Sequence, residues 1–284
     1  MSLRKPRPLV VIGVHALLAV ATMAVLYPVM LVVKKAFEPG RQFALSPSPI
    51  PREVTLDHFR SLLSARGSHG ELAFLQHTIS SLVVAIATTV VGIALSCTAA
   101  YALSRFRFPG RKTALTGFLV VQMFPASLLM IPLYVLLHQL GLLNALSGLV
   151  LVYSTTAIPF CVWTLKGYFD SLPRELFEAA RVDGAGPVRI FWTIVLPLAR
   201  PGIAVTALFS FMTAWNEFIL ASTFLTDESK YTLPVMLKSS VGQFSADWGQ
   251  FAAGALLTSL PVMALFYVVQ KYLVGGLTAG AVKG

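Results

Sequence analysis

The chain has 284 residues, of which 56% are hydrophobic and only 12% charged, with a formal net charge of +10. Soluble domains carry about 25% charged residues, and the charges here are clustered between long uncharged stretches, so a large soluble core is excluded in favour of a lipid-embedded chain. The lysines and arginines lie between apolar runs rather than along one amphipathic face or tail, which points to the positive-inside bias of membrane proteins and away from nucleic acid.

Arg4, Lys5 and Arg7 precede an apolar run over residues 9–33. A cleaved signal has an apolar region of about 7–15 residues and a small-x-small site; this run is longer and lacks the site, so it is expected to remain as a first span. A span needs about 20 apolar residues. Residues 72–104 form the second. Between Lys112 and Lys166 there is no Asp, Glu, Lys or Arg, a stretch too long for one crossing. The polar break over residues 138–144 divides it into spans at 113–137 and 145–165. Pro125 and Pro132 should kink the first of these or break its backbone ladder, as an ordinary packed kink or as part of a pathway. Residues 201–226 and 251–270 complete six spans in one membrane domain, residues 9–274. It is flanked by a short N-terminal stretch at 1–8 and a tail at 275–284. Cys97 and Cys161 both fall inside apolar runs, where thiols are usually inert, and no CxxC, HExxH or zinc-type spacing occurs.

Six spans put both ends on one side. Fourteen of the 22 basic residues fall on that side, among them Arg105, Arg107, Arg111 and Lys112 after span two and Arg174, Arg181, Arg189 and Arg200 after span four. The positive-inside rule therefore predicts cytoplasmic termini in an inner membrane. Lys34 and Lys35 follow span one on the outer side, where they are expected to snorkel to the headgroups.

The most informative segment is the link over residues 170–200. Ser171, Pro173 and Glu175 read as a helix start, with a capping side chain, a first-turn proline and an acid facing the dipole. Asp183-Gly184 ends that helix, because glycine takes the left-handed conformation needed there. Pro187 opens a second short helix, terminated by Leu196-Pro197 and Pro201. The expectation is a helix–turn–helix outside the membrane whose exposed faces combine small residues with Leu176, Phe177 and Phe191. Such a projection suits docking of a partner, or rests on the bilayer surface as an amphipathic segment.

Glu178-Ala179-Ala180, Asp183-Gly184-Ala185, Ile194, Leu196-Pro197 and Pro201 resemble the EAA loop of binding-protein-dependent ABC importer permeases. The resemblance extends along the chain: Tyr101-Ala102-Leu103-Ser104-Arg105, Phe108-Pro109-Gly110, Met123-Phe124-Pro125, Ile131-Pro132-Leu133-Tyr134 and Trp215-Asn216-Glu217-Phe218 are similar to the carbohydrate-uptake branch. The tail at residues 276–284 is closest to the MalG-type permeases of maltose transporters. The resemblance implies an all-α integral membrane fold of the type I importer class, with six transmembrane helices and a cytoplasmic coupling loop. It also implies a MalF-type second permease, a MalK-type ATPase dimer that uses ATP and Mg, and an extracytoplasmic sugar-binding protein. By carry-over, Glu178, Ala179, Ala180, Asp183, Gly184, Ala185, Leu196 and Pro197 would couple to the ATPase, and Gly276, Leu277, Lys283 and Gly284 would reach its dimer interface. Gln243, Phe244, Asp247 and Trp248 would face the binding protein, with Trp248 also suited to an interfacial anchor. Maltose or maltodextrin is the first expected cargo.

Glu217, beside Asn216, is the single acid deep in a span. Such residues face a bundle interior or an aqueous path, and a hydrogen bond holding helices together is the other reading. Met123 and Pro125 are further pathway candidates. His15, His77 and His138 lack acidic neighbours for a proton relay. The P-loop pattern GxxxxGK[ST] is absent, so hydrolysis is expected on another polypeptide and no catalytic or metal-binding residue is assigned here. An ion-coupled transporter would need charged pairs near the midplane. An intramembrane hydrolase would need a nucleophile within reach of a base. Neither pattern is seen.

Overall fold

The computed structural model describes residues 8–42, 48–68, 70–242 and 246–281, with side chains for all of these except 8, 126 and 273–281. The regular structure among the described residues is helical, apart from two isolated β-bridges. The first helices are α1 (Pro8–Phe37), α2 (Asp57–Ser64) and α3 (Ala73–Arg105). Next come α4 (Arg111–Met123), α5 (Ala126–Gln139) and α6 (Leu146–Ser171). A connecting segment holds α7 (Arg174–Val182), α8 (Pro187–Ile190), a π-helical turn (Phe191–Val195) and α9 (Leu196–Leu198). The chain continues through α10 (Arg200–Trp215), α11 (Ile219–Phe224), α12 (Leu233–Ser239) and α13 (Trp248–Ala281).

Among the described residues, four helices are by themselves long and apolar enough to cross a bilayer: Leu9–Phe37, Ala73–Arg105, Leu146–Ser171 and Trp248–Tyr272. Two bent pairs bring the number to as many as six. One bends by 103° between α4 and α5, and the other by 76° between Pro187–Leu198 and Arg200–Trp215. The first bend falls at Phe124-Pro125, whereas Pro132 is carried inside α5 without a break. The expected fifth span is shorter than its apolar run. Its helix stops at Trp215, and the chain restarts as α11 after Asn216, Glu217 and Phe218.

The chain divides into two compact units. In the larger one, residues 66–236 and 259–284, α3, α6 and α10 pack together. Lipid tails are as apolar as leucine, so close approach and interhelical polar contacts, rather than water exclusion, hold such helices together. The sequence supplies both. Ala85, Thr88, Gly92, Ser96 and Ala100 form a buried small-residue line on α3; Gly202, Thr206, Ser210 and Ala214 recur every fourth residue as its counterpart on α10. A Cβ on Gly92 would meet Ser210 Oγ at 3.7 Å, which marks the contact between the two lines. Ser96 Oγ donates to the Ile158 carbonyl of α6 at 3.4 Å. Around this seam lie the fully buried Leu149, Val152 and Trp215, the last stacked on Phe211.

A Cβ on Gly202 would fall 2.6 Å from two ring carbons of Tyr168. Gly202→Ala is therefore expected to destabilise the bundle by about 1–3 kcal/mol, the usual range for overpacking, and to lower the thermal unfolding midpoint in detergent. Gly167→Ala, whose Cβ would meet nothing within 4 Å, should leave the midpoint unchanged or raise it.

In the smaller unit, residues 1–65 and 237–258, most of α1 is unburied within the chain. Only its end is covered, where Ala36 is fully buried and Phe37 meets Phe59 at 5.0 Å. Lys34 and Lys35 depart from the expectation of snorkelling. Both are buried: Lys34 Nζ donates to the Ser48 carbonyl at 2.9 Å, and Lys35 Nζ to the Gly40 carbonyl at 2.8 Å. Two cations thus hold Gly40 and Ser48 to the end of α1 by satisfying their carbonyls.

Candidate functional site

Residues 174–198 project from the ends of α3 and α6 as a compact helical element. α7 closes with two bonds: Gly184 N donates to the Arg181 carbonyl at 3.0 Å, and Ala185 N to the Ala180 carbonyl at 2.9 Å. This is a Schellman closure, which needs a left-handed residue at Gly184, where φ is +79°. The start of α7 departs from the expected cap. Ser171 is the last residue of α6 and donates its hydroxyl to the Tyr168 carbonyl at 2.7 Å, while Pro173 occupies the N-cap of α7 with no side-chain bond.

One side of this element packs against the membrane helices. Phe177, Ala180, Ile190, Phe191 and Val195 are buried against Cys97, Ala100, Leu165 and Phe169. Phe177 and Phe191 were expected on the exposed faces; the structure corrects both. They anchor the element, and the large apolar residues it exposes are Leu176, Val182, Val188, Trp192 and Leu198. Ala180 is likewise buried, so the inward face uses it to approach the bundle and it is not part of the outward surface. Glu178, Ala179, Asp183 and Gly184 are outward and exposed, while Ala185, Leu196 and Pro197 are half-buried. Pro197 has no N–H to continue the ladder. Just before it, Phe191–Val195 runs as a π-turn, with Leu196 N bonded to the Phe191 carbonyl.

The end of α3 fastens this element. Arg105 lies over the Phe177 ring at 3.9 Å and donates to the Phe169 carbonyl at 2.5 Å and the Leu172 carbonyl at 3.2 Å. Ser104 Oγ donates to Asp170 Oδ1 at 2.6 Å, and Lys166 Nζ to Asp170 Oδ2 at 2.5 Å. Tyr101 places its hydroxyl on the Pro187 carbonyl at 3.0 Å and its ring 5.0 Å from Phe191.

Glu217 sits in the interruption after α10. Its carboxylate accepts from Tyr153 OH at 2.5 Å, from Leu220 N at 2.8 Å and from Ala221 N at 3.0 Å. It therefore caps the first turn of α11 and bridges to α6, while neighbouring Asn216 is exposed. Met123 and Pro125 flank the α4–α5 bend, with Met123 82% exposed on this chain. Asp247 also works locally: Oδ1 accepts from Gln250 N at 2.9 Å at the start of α13, and Oδ2 lies 3.4 Å from Arg41 Nε. Trp248 opens α13, edge-on to Phe251 at 6.0 Å. Gln243, Phe244, Lys283 and Gly284 lie outside the described residues, and Gly276 and Leu277 are described only as part of helix α13.

A family of proteins described as the binding-protein-dependent transport system inner membrane component matches residues 92–278, which take in the fastening end of α3 and the whole projecting element. The chain belongs to this family. The permease is 41% identical to the galactooligosaccharides transport system permease protein GanQ of Bacillus subtilis, over 95% of this chain and 94% of that protein. It is 37% identical to the maltodextrin transport system permease protein MdxG of the same organism over the full length of both. It is 38% identical to the maltose/maltodextrin transport system permease protein MalG of Escherichia coli, with 95% of each covered. Among solved structures, a bacterial ABC transporter involved in the import of the acidic polysaccharide alginate has the same fold. Its TM-score is 0.75 over 95% of this permease and 99% of that chain, at 24% identity.

Sequence reasoning on this permease missed two contributors. Tyr153, as partner of Glu217, had no signal, since a tyrosine in an apolar run is unremarkable. Arg105 had one: it ends the longest uncharged helix next to a tyrosine and a serine, the three side chains that hold the projecting element.

Proposed function

We propose that this permease forms half of the translocation path of an ATP-driven oligosaccharide importer. In this reading the segment Pro187–Leu198 and α7 transmit closure of a partner ATPase to the membrane helices. The observation that carries it is the two-sidedness of α7. Phe177 and Ala180 grip the ends of α3 and α6, while Glu178, Ala179, Asp183 and Gly184 form a small, polar outward surface. The small Ala179 and Gly184 in it let another protein's cleft approach the backbone closely there. The basic bias of the same side supports a cytoplasmic position for this element and for both termini. The permease would pair with a MalF-type permease, a MalK-type ATPase dimer binding ATP and Mg, and an extracytoplasmic sugar-binding protein. Its C-terminal tail would reach the ATPase interface, and the outer segment before α13 the binding protein. Relatives named for maltodextrin and for galactooligosaccharides support a short oligosaccharide as cargo, with maltodextrin as the first choice.

Glu217 belongs to the scaffold of this path rather than to sugar contact, since its oxygens are committed to α6 and α11. The test is reconstitution of the permease with its partner subunits in proteoliposomes, with uptake of maltodextrins and galactooligosaccharides measured with and without ATP. ATP-dependent accumulation of one sugar class, together with a disulfide between Ala179→Cys and the partner ATPase that stops uptake, is the expected outcome. Uptake that survives the crosslink, or that needs no ATP, would refute the assignment.

A further inference from the structure

Alongside α7, Arg105, Arg107, Arg111, Arg174 and Arg181 line a cavity of about 490 Å³. Two carboxylates, Asp170 and Glu178, share it. Asp170 is already held by Lys166 and Ser104, so little negative charge is left to balance five guanidiniums. None of the five forms an ion pair among the described residues. Like charges gathered in a partly enclosed site repel one another, and an anion that enters relieves that repulsion. Guanidiniums also offer paired N–H donors suited to phosphate oxygens.

Depth decides between possible anions. Arg105 is the last residue of the 33-residue apolar helix α3, and Arg111 is the first of α4. Arginines at the ends of membrane helices mark the headgroup layer. A second cavity of about 590 Å³ shares Arg107 and Arg111 and adds Phe108, Lys112 and Leu115. From there the exposed Leu119, Val120 and Val121 continue along α4. A basic pocket that opens onto an apolar helix face matches a molecule with a phosphate at one end and acyl chains at the other.

We propose that this arginine cavity binds the headgroup phosphate of an anionic phospholipid. Bound there, the phosphate bridges α7, which contributes Arg174 and Arg181, to the ends of α3 and α4, so the lipid becomes part of the fastening of the projecting element. Binding needs only that α3 and α4 end at the bilayer surface; an effect on transport rests on the coupling reading above.

The experiment is native mass spectrometry on the intact, delipidated transporter titrated with phosphatidylglycerol, phosphatidylcholine or inorganic phosphate. Phosphatidylglycerol is expected to be retained on the permease in preference to phosphatidylcholine. The double variant Arg107→Gln/Arg111→Gln should weaken retention by about thirty-fold, the loss of two near-surface basic groups. Arg107→Lys/Arg111→Lys should recover most of it. Thermal unfolding of each variant in phosphatidylcholine controls for folding. Equal retention of the two lipids, unchanged retention by the double Gln variant, or competition by phosphate at equal concentration would overturn the proposal. So would crosslinks from position 107 to the partner ATPase that persist while phosphatidylglycerol fails to bind. Transport has its own readout: uptake that fails in every lipid while phosphatidylglycerol still binds would count against the coupling reading and leave the lipid site standing.

Discussion

Replacing Gly184 with proline is expected to abolish uptake while leaving the membrane helices inserted. Gly184 holds φ at +79°, and proline is locked near −65°. Proline would also remove the N–H that Gly184 gives to the Arg181 carbonyl. Together these cost about 3 kcal/mol or more, concentrated on a four-residue closure that the bilayer does not support. α7 would lose its last turn, and Glu178, Ala179 and Asp183 would no longer share one surface. The control is Gly184→Asn. Asparagine visits the left-handed region more readily than other residues with a side chain and keeps its N–H, so it should retain most of the uptake. Measurement is of sugar accumulation in cells that express each variant at equal membrane abundance. Wild-type accumulation by the proline variant would remove α7 from the coupling path.

The second large effect is expected at Glu217. Glu217→Ala strips partners from Tyr153 OH and from the N–H groups of Leu220 and Ala221 at once. Each polar group left unpaired away from water costs about 1–3 kcal/mol, so the variant should unfold many degrees below the parent in detergent. Glu217→Gln keeps one acceptor oxygen and should fall between the two. Tyr153→Phe removes a single partner and should be the mildest. An alanine variant that keeps its melting point but loses uptake would show that the carboxylate serves the path and not the fold.

How much of this could be read beforehand differs from element to element. The long apolar helices announced themselves because a bilayer leaves few alternatives: twenty uncharged residues in a row have one stable conformation there. The bend at Pro125 and the glycine at the end of α7 were equally legible, since both follow from what one residue's backbone permits. Orientation within an element was not. The pattern around Phe177 and Phe191 shows that the connecting segment has an apolar side, but a single chain does not say whether that side meets a partner or its own bundle. The cap at Ser171 failed for a related reason. α6 continues past its apolar run with Asp170 paired to Lys166 one turn earlier and held by Ser104 on another helix, and the second bond is tertiary, so no local signal reveals it. Glu217 stood out as an acid in lipid, yet its role depends on Tyr153, 64 positions away.

The joint at Ala199 has a mechanical consequence. The arm Pro187–Leu198 meets Arg200–Trp215 at 76° with one residue between them, and Ala199 is itself fully buried. There is no slack to take up a push. The arm is about 18 Å long at 1.5 Å per residue, so turning it by roughly 5° carries its tip by about 1.6 Å, and the same torque twists α10 at its root. Force applied near Pro187 would then reach the root of α10, and a flexible hinge inserted at Ala199 is expected to let the two ends move independently.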